Sequence, residues 1–181
     1  MLRPVIDTER LTLRAPGIKD FEEMCAMWSD PQVVRFIGGK VRSREQVWAR
    51  LLQYAGSWSL LGYGSWVIRD RASGVFVGEA GFRNLRRDLV PPFGDRPELG
   101  YALVPAAQGS GFATEAAGAA LAWADRTWPG GETVCMIDPE NAPSARVAAR
   151  LGYREFARSS YKGGPVILLA RRNGESSAQE S

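Results

Sequence analysis

Between Glu98 and Trp128 the chain moves from a strand-like stretch, Glu98 to Val104, past two glycines, Gly109 and Gly111, into an alanine-rich run that contains no proline before Trp128. The periodicity changes from that of a strand to that of a helix across one short loop. A strand that feeds a long helix in this way needs neighbouring strands to pair with and further helices to cover the sheet, so a layered α/β fold is implied at once. The loop also has a chemical consequence. Its glycines allow backbone N–H groups to turn inward, and the first helical turn adds unpaired donors and the positive end of a helix dipole. Such a place holds a phosphate group.

The remaining segments supply the neighbours. Arg10 to Arg14 alternates Leu11 and Leu13 with polar residues and predicts a half-buried strand, broken by Ala15-Pro16-Gly17. Phe21, Met24, Cys25 and Trp28 share one face of a helix over 18–29 that ends at Asp30-Pro31. Ser43 and Gln46 form a capping-box pattern ahead of Val47, Leu51, Tyr54 and Trp58 on one helical face. Residues 65–69 and 75–83 read as two strands joined by a glycine-containing turn. A strand at 133–137, a helix over 142–151 stopped by Gly152, and a strand pair at 156–160 and 166–170 complete the order. The expectation is one α/β (α+β) domain over 1–172: a mixed, mostly antiparallel central sheet of six to seven strands flanked by about four helices. Residues 173–181 have the composition of a disordered tail.

Composition removes several chemistries. The chain has no histidine, which excludes Ser-His-Asp and Cys-His catalysis and His-ligated metals. Its two cysteines, Cys25 and Cys135, lack metal-ligand spacing and read as buried, reduced thiols, so no metal is expected. A net charge of +3 suits an anionic ligand but not a nucleic-acid partner. No apolar run reaches the length of a membrane span, and the first residues carry Arg3, Asp7 and Glu9, so a cytoplasmic protein without a membrane partner is expected. The loop itself excludes two phosphate chemistries: no Gly-Lys-Ser/Thr ends it, and Thr114 stands where a dinucleotide fingerprint needs glycine.

The pattern Gln108-x-x-Gly111-x-Ala113 after such a strand resembles the acetyl-CoA pyrophosphate loop of the GNAT acetyltransferases. Four further blocks, in order, resemble its RimJ/RimL-type branch: Thr8 to Arg14, Ser29-Asp30-Pro31, Glu98-Leu99-Gly100-Tyr101, and Asp138-Pro139-Glu140-Asn141 with Leu151-Gly152-Tyr153. The resemblance covers roughly residues 7 to 160. It implies an N-acetyltransferase that moves an acetyl group from acetyl-CoA to a primary amine, a protein N-terminus or a small molecule, in a ternary complex. It also allows a homodimer.

The resemblance carries over residue by residue. Backbone groups of Ala102, Leu103 and Val104 would meet the pantetheine arm, with the Val104 N–H also serving the developing oxyanion. Gln108, Gly109, Ser110, Gly111, Phe112, Ala113 and Thr114 would hold the pyrophosphate. Asn141 and Ser144 match cofactor-side positions, although both residue types also favour helix starts for local reasons. Glu98 matches the general-base position. Glu79, on the preceding strand, is a second candidate that could share the cleft and form a carboxylate pair with it. The tyrosine that many family members place seven residues after the asparagine is replaced by Ala148, so Ser144 is nominated as the acid. Two rival readings differ in kind: a non-catalytic acyl-CoA-binding sensor, suggested by Ala148, and a nucleotide-phosphate enzyme, for which Glu115 would be the only carboxylate beside the loop. Residues 33–42 and 86–97 should border the acceptor, and their mixture of charges and aromatics selects none.

Overall fold

A computed structural model describes residues 3–174. Eight strands form one sheet: β1 (Ile6–Asp7), β2 (Leu11–Arg14), β3 (Ser65–Asp70), β4 (Phe76–Arg83), β5 (Glu98–Leu103), β6 (Glu132–Ile137), β7 (Arg154–Tyr161) and β8 (Gly164–Arg172). Their spatial order is β1-β2-β3-β4-β5-β6-β8-β7, antiparallel throughout except where β5 meets β6 in parallel. The strand count exceeds the six to seven expected because the two-residue β1, too short to show a period, pairs with β2 through Ile6 and Asp7.

Five helices cover the sheet: α1 (Phe21–Trp28), α2 (Pro31–Val34), α3 (Arg44–Leu60), α4 (Phe112–Thr127) and α5 (Ala142–Arg150). Residues 18–20 form a 3-10 turn ahead of α1. Asp30-Pro31, read as a helix end, also begins the single turn of α2: Asp30 accepts the Gln32 N–H at 2.8 Å and proline takes the first helical position, where no N–H is needed. The Ser43/Gln46 capping box is present, with reciprocal bonds of 3.2 and 3.0 Å. Gly152 ends α5 at φ +83°, the left-handed conformation expected of it.

Of the three buried apolar clusters among the described residues, the two larger lie on opposite faces of the sheet. On one, Ala116, Ala117, Ala120 and Ala124 of α4 are fully buried; their small side chains let the helix approach Ala80, Phe82 and Leu99, beside an aromatic cluster that includes Trp58, Trp66 and Trp123. On the other, Met24, Trp28, Val47, Leu51 and Tyr54 of α1 and α3 pack on Val67, Phe76 and Ala102. Asn173, assigned to the tail from sequence, is instead buried, its amide N–H bonded to Gly131 O at 2.8 Å and its Nδ2 donating to Trp128 O at 3.0 Å. The rest of that tail, beyond Gly174, lies outside the described residues. Among the described residues no helix is long and apolar enough to cross a membrane.

Candidate active site

The site begins where two strands part. Between β5 and β6 the register pairs Glu98 with Val134, supported by the Val134 N–H to Pro97 O at 3.0 Å, and among the described residues no later pair follows. On its other edge β5 stays bonded to β4: Ala102 stands opposite Glu79, and the Val104 N–H donates to Val77 O at 3.0 Å. Main-chain groups alternate sides along a strand, so those of Tyr101 and Leu103 face the opening toward β6. This corrects two of the three expected backbone contacts. Ala102 spends its main-chain groups on β4, and Val104 gives its N–H to Val77 and its carbonyl to the Ala107 N–H at 3.0 Å, so the Val104 N–H is not free to meet an oxyanion. Leu103 does face the opening, with its carbonyl accepting from Gln108 Nε2 at 3.2 Å.

The glycine loop follows directly. Gly109 and Gly111 adopt φ of +78° and +81°, where an L side chain is strained, and Gly111 caps α4 without a side-chain bond. The first amide there with a backbone acceptor is that of Glu115, to Gly111 O at 3.1 Å, which leaves the preceding amides of the turn pointing outward as donors. The loop is braced from far away in sequence. Arg10 Nη1 donates to Ser110 O at 3.0 Å, its Nε donates to Glu115 Oε2 at 2.7 Å, and its guanidinium lies 4.5 Å from the Phe112 ring centre. Thr8 Oγ1 donates to Glu115 Oε1 at 2.6 Å. Although burial opposes ionisation of Glu115, the Thr8 and Arg10 donors outweigh it and hold the carboxyl below its usual range. Glu115 is thus occupied as a brace, which removes the carboxylate that a nucleotide-phosphate enzyme would have needed at this loop.

A cleft of about 680 Å³ opens on the splayed strands and is lined by Glu79, Glu98, Tyr101, Ala102, Asn141 and Ser144, among others; the loop residues 108–114 lie outside its walls. Glu98 is buried, and Arg87 grips both of its oxygens, Nε to Oε2 at 2.7 Å and Nη2 to Oε1 at 2.9 Å. Glu79 is also buried, accepting the Tyr54 hydroxyl, Trp28 Nε1 at 3.3 Å and, at the limit of bonding, Arg50 Nη1 at 3.5 Å. Arg50 in turn stacks over Trp28, 4.0 Å from the ring centre. The expected carboxylate pair does not form. Glu79 faces Ala102 and Glu98 faces Arg83, so four residues of strand, about 13 Å, separate them, and each has its own cationic partner.

Asn141 caps α5 by accepting the Ser144 N–H at 3.2 Å, so its local role is realised and its amide hydrogens remain for a ligand. The Tyr101 hydroxyl is buried with no hydrogen bond of ordinary geometry; burial pushes the phenol up to about 12, and the neighbouring Ser144 side chain acts against that rise. Both cysteines are reduced and buried. Burial raises both thiols, and at Cys135, on the cleft wall, the Glu98 charge adds to the effect. A thiolate nucleophile near neutral pH is therefore disfavoured at both. In the sequence, Trp28 and Tyr54 read as helix-face core and Arg87 as loop. The carboxylates they serve come from other elements, and no local period signals such contacts.

The acetyltransferase (GNAT) domain family matches residues 10–154. The chain belongs to this family. Its resemblance to other members runs the length of the molecule. It is similar to a protein from Bordetella pertussis assigned to the GnaT-family acetyltransferases, at 35% identity with a TM-score of 0.83 over 93% of this chain and 99% of that one. It is also similar to an acetyltransferase from Agrobacterium tumefaciens str. C58, at 26% identity and a TM-score of 0.81 over 94% and 95%. In sequence it resembles the uncharacterized N-acetyltransferase p20 of Bacillus licheniformis, 26% identical over 149 residues that span 82% of this chain and 81% of the relative. The GNAT chain is accordingly an acetyltransferase, and its parted strands and outward-facing loop amides are features on which acetyl transfer can be built.

Proposed function

We propose that this acetyltransferase, of the RimJ/RimL-type branch, takes its acetyl group from acetyl-CoA and delivers it to a primary amine by direct attack. The observation that carries the reading is the parting of β5 from β6 beyond Glu98 and Val134, which frees the β6-facing main chain of Tyr101 and Leu103 at a cleft lined by Tyr101, Asn141 and Ser144. Acetyl-CoA fits the residues present: the outward amides of 109–114 suit a pyrophosphate, and the Leu103 N–H suits the amide-bearing arm. Proteins of this fold have been solved with coenzyme A, among them RimL, the ribosomal L7/L12 alpha-N-protein acetyltransferase, and a spermidine N-acetyltransferase from Vibrio cholerae, which at 18% and 16% identity share the fold.

When bound, acetyl-CoA supplies an acyl thioester. The chain's own residues would then manage protons. An amine attacks only as the free base, whereas most alkylamines are protonated at neutral pH, so one proton must leave before or during attack. Glu98 is the acceptor for that proton, held in one orientation by Arg87 and reaching the amine through a remaining lone pair or a water. Glu79 is the less apt candidate because Tyr54, Trp28 and Arg50 converge on it. Ser144, with Tyr101 behind it, is the hydroxyl group positioned to return a proton to the departing thiolate sulfur. The buried, raised thiols favour direct transfer over an acyl-enzyme.

Calorimetry with CoA, followed by thiol release from acetyl-CoA across a panel of amines and N-terminal peptides, tests this. CoA binding in the micromolar range, on the order of 8 kcal/mol, with amine-dependent thiol release lost in Glu98→Gln is expected. CoA binding without turnover on any amine would favour the sensor reading, and undiminished turnover in Glu98→Gln would remove that residue as base.

A further inference from the structure

On the sheet floor of the cleft, Glu79, Gly81 and Arg83 of β4 share a face with Glu98, Gly100 and Ala102 of β5, their partners in the register. The two carboxylates are already matched by Arg87 and by the Tyr54 cluster. Arg83 is not. It stands directly opposite Glu98, yet both oxygens of that carboxylate go to Arg87, and the Arg83 side chain makes no hydrogen bond or ion pair among the described residues. Its Nε is buried without a partner. Its guanidinium lies across Gly100 so closely that a Cβ there would come within 1.9 Å of Nη2. Glycine at that position is what leaves the guanidinium its place.

A permanently charged group with a buried, unsatisfied donor is costly to maintain, and structures rarely keep one without a use. The guanidinium fork presents paired donors that fit a carboxylate or a phosphate. Inside the cleft it is a cation beside carboxylates that are spoken for, so the unmet demand is for one anion.

Resting on the reading of this cleft as the amine acceptor site, we propose that Arg83 receives an anionic group carried by the acceptor, which is therefore an amine bearing a carboxylate or a phosphate. Such a contact would seat the acceptor by its charged end across Gly100 and leave its amine free to point along the strand pair toward the opening between β5 and β6.

Matched probes separate the two anions. The CoA-saturated protein is titrated with the common L-α-amino acids and their α-amides, and with O-phosphoethanolamine and ethanolamine. In at least one pair the anionic member should bind about tenfold to a hundredfold more tightly, the range of a charge-assisted bond. Preference within the amino-acid pairs assigns a carboxylate and preference within the ethanolamine pair a phosphate. Arg83→Met should bring the two members together, Arg83→Lys should keep part of the difference, and a thermal melt of each variant confirms folding. The proposal is overturned if neither pair discriminates, if the preference survives Arg83→Met, or if Arg83→Met chiefly weakens CoA, which would assign the arginine to the coenzyme. CoA binding and thiol release by the wild type are read separately. A protein that binds CoA and does not discriminate fails this proposal alone, whereas one that does not bind CoA fails the acetyl-CoA reading, and the same pairs are then titrated on the free protein.

Discussion

Arg87 reaches forward eleven positions along the chain to hold both oxygens of Glu98, and the two side chains are 13% and 6% exposed. A buried pair of this kind contributes little net stability over an apolar pair, but removing one partner strands the other. Arg87→Met should therefore cost about 3 kcal/mol, visible as a lower midpoint in urea unfolding. Activity should fall further than folding explains, because Glu98 loses the contact that fixes its direction. Arg87→Lys, which replaces the fork with a point charge, should recover stability better than turnover.

The left-handed Gly111 at the start of α4 leads to a second expectation. Alanine there would be strained by about 1 kcal/mol, and its Cβ would lie in van der Waals contact, at 3.4 Å, with Nη2 of Arg10, the arginine that braces Ser110 and Glu115. Gly111→Ala should weaken CoA in calorimetry by more than it lowers the melting temperature. Equal CoA affinity in wild type and variant would separate the loop from the coenzyme.

Asp20 is fully buried between Arg14 and Arg69, with bonds of 2.8, 2.5 and 2.7 Å and the Gly17 N–H at 2.8 Å. Burial alone would raise its pKa, but the arginine and amide donors outweigh burial and hold it below 3.8. The charged form is thus stabilised by folding, so this contribution is present above pH 4 and is lost as pH falls through the depressed folded value. Asp20→Asn should destabilise at neutral pH and flatten the acid limb of a pH–stability profile. An unchanged acid limb would show that other carboxylates govern it.

Buried tyrosines join the raised thiols of Cys25 and Cys135 in shaping the alkaline limb. Burial, joined at Tyr54 by the negative charge of Glu79, pushes Tyr54 and Tyr101 up to about 12, and Tyr153, bonded to Thr133 at 2.8 Å, is raised as well. An unfolded tyrosine releases its proton near pH 10 whereas these keep theirs, so the unfolded state gains on the folded one from pH 10 upward. Stability should fall between pH 10 and 12, by on the order of 2 kcal/mol for each of Tyr54 and Tyr101. Tyr101→Phe, which removes a hydroxyl without an ordinary hydrogen bond, should reduce the slope and cost little at pH 7. A large loss at pH 7 would mean that Ser144 engages that hydroxyl.

Much of the architecture was written in local pattern. The alternation of Leu11 and Leu13, the helical face of Val47, Leu51, Tyr54 and Trp58, the Ser43/Gln46 cap and the Gly152 stop each depend on residues within one or two turns of each other, and each appears where expected. Secondary structure of this kind is a property of neighbours in sequence, so it can be read there. The glycine loop belongs to the same class: φ above zero at Gly109 and Gly111 and an uncapped helix start are local facts with a chemical meaning.

The site is different, because its contacts join positions that are far apart in the chain. Whether Val104 or Leu103 offers its N–H to a ligand depends on which edge β4 occupies, and that parity comes from strand pairing. Glu79 and Glu98 looked like a pair in sequence, but the register of β4 on β5 sets them apart and gives each its own partners. The block around Thr8 to Arg10 could be matched to a family, yet its task of bracing the loop a hundred residues later through Ser110 and Glu115 is visible only in three dimensions. Propensity, period and capping act within a few residues, and they delivered the elements and the loop. Burial, ion pairing and the parity of main-chain bonds act between elements, so which carboxylate is held, which amide is free and which arginine stands alone were decided by the packing of the sheet.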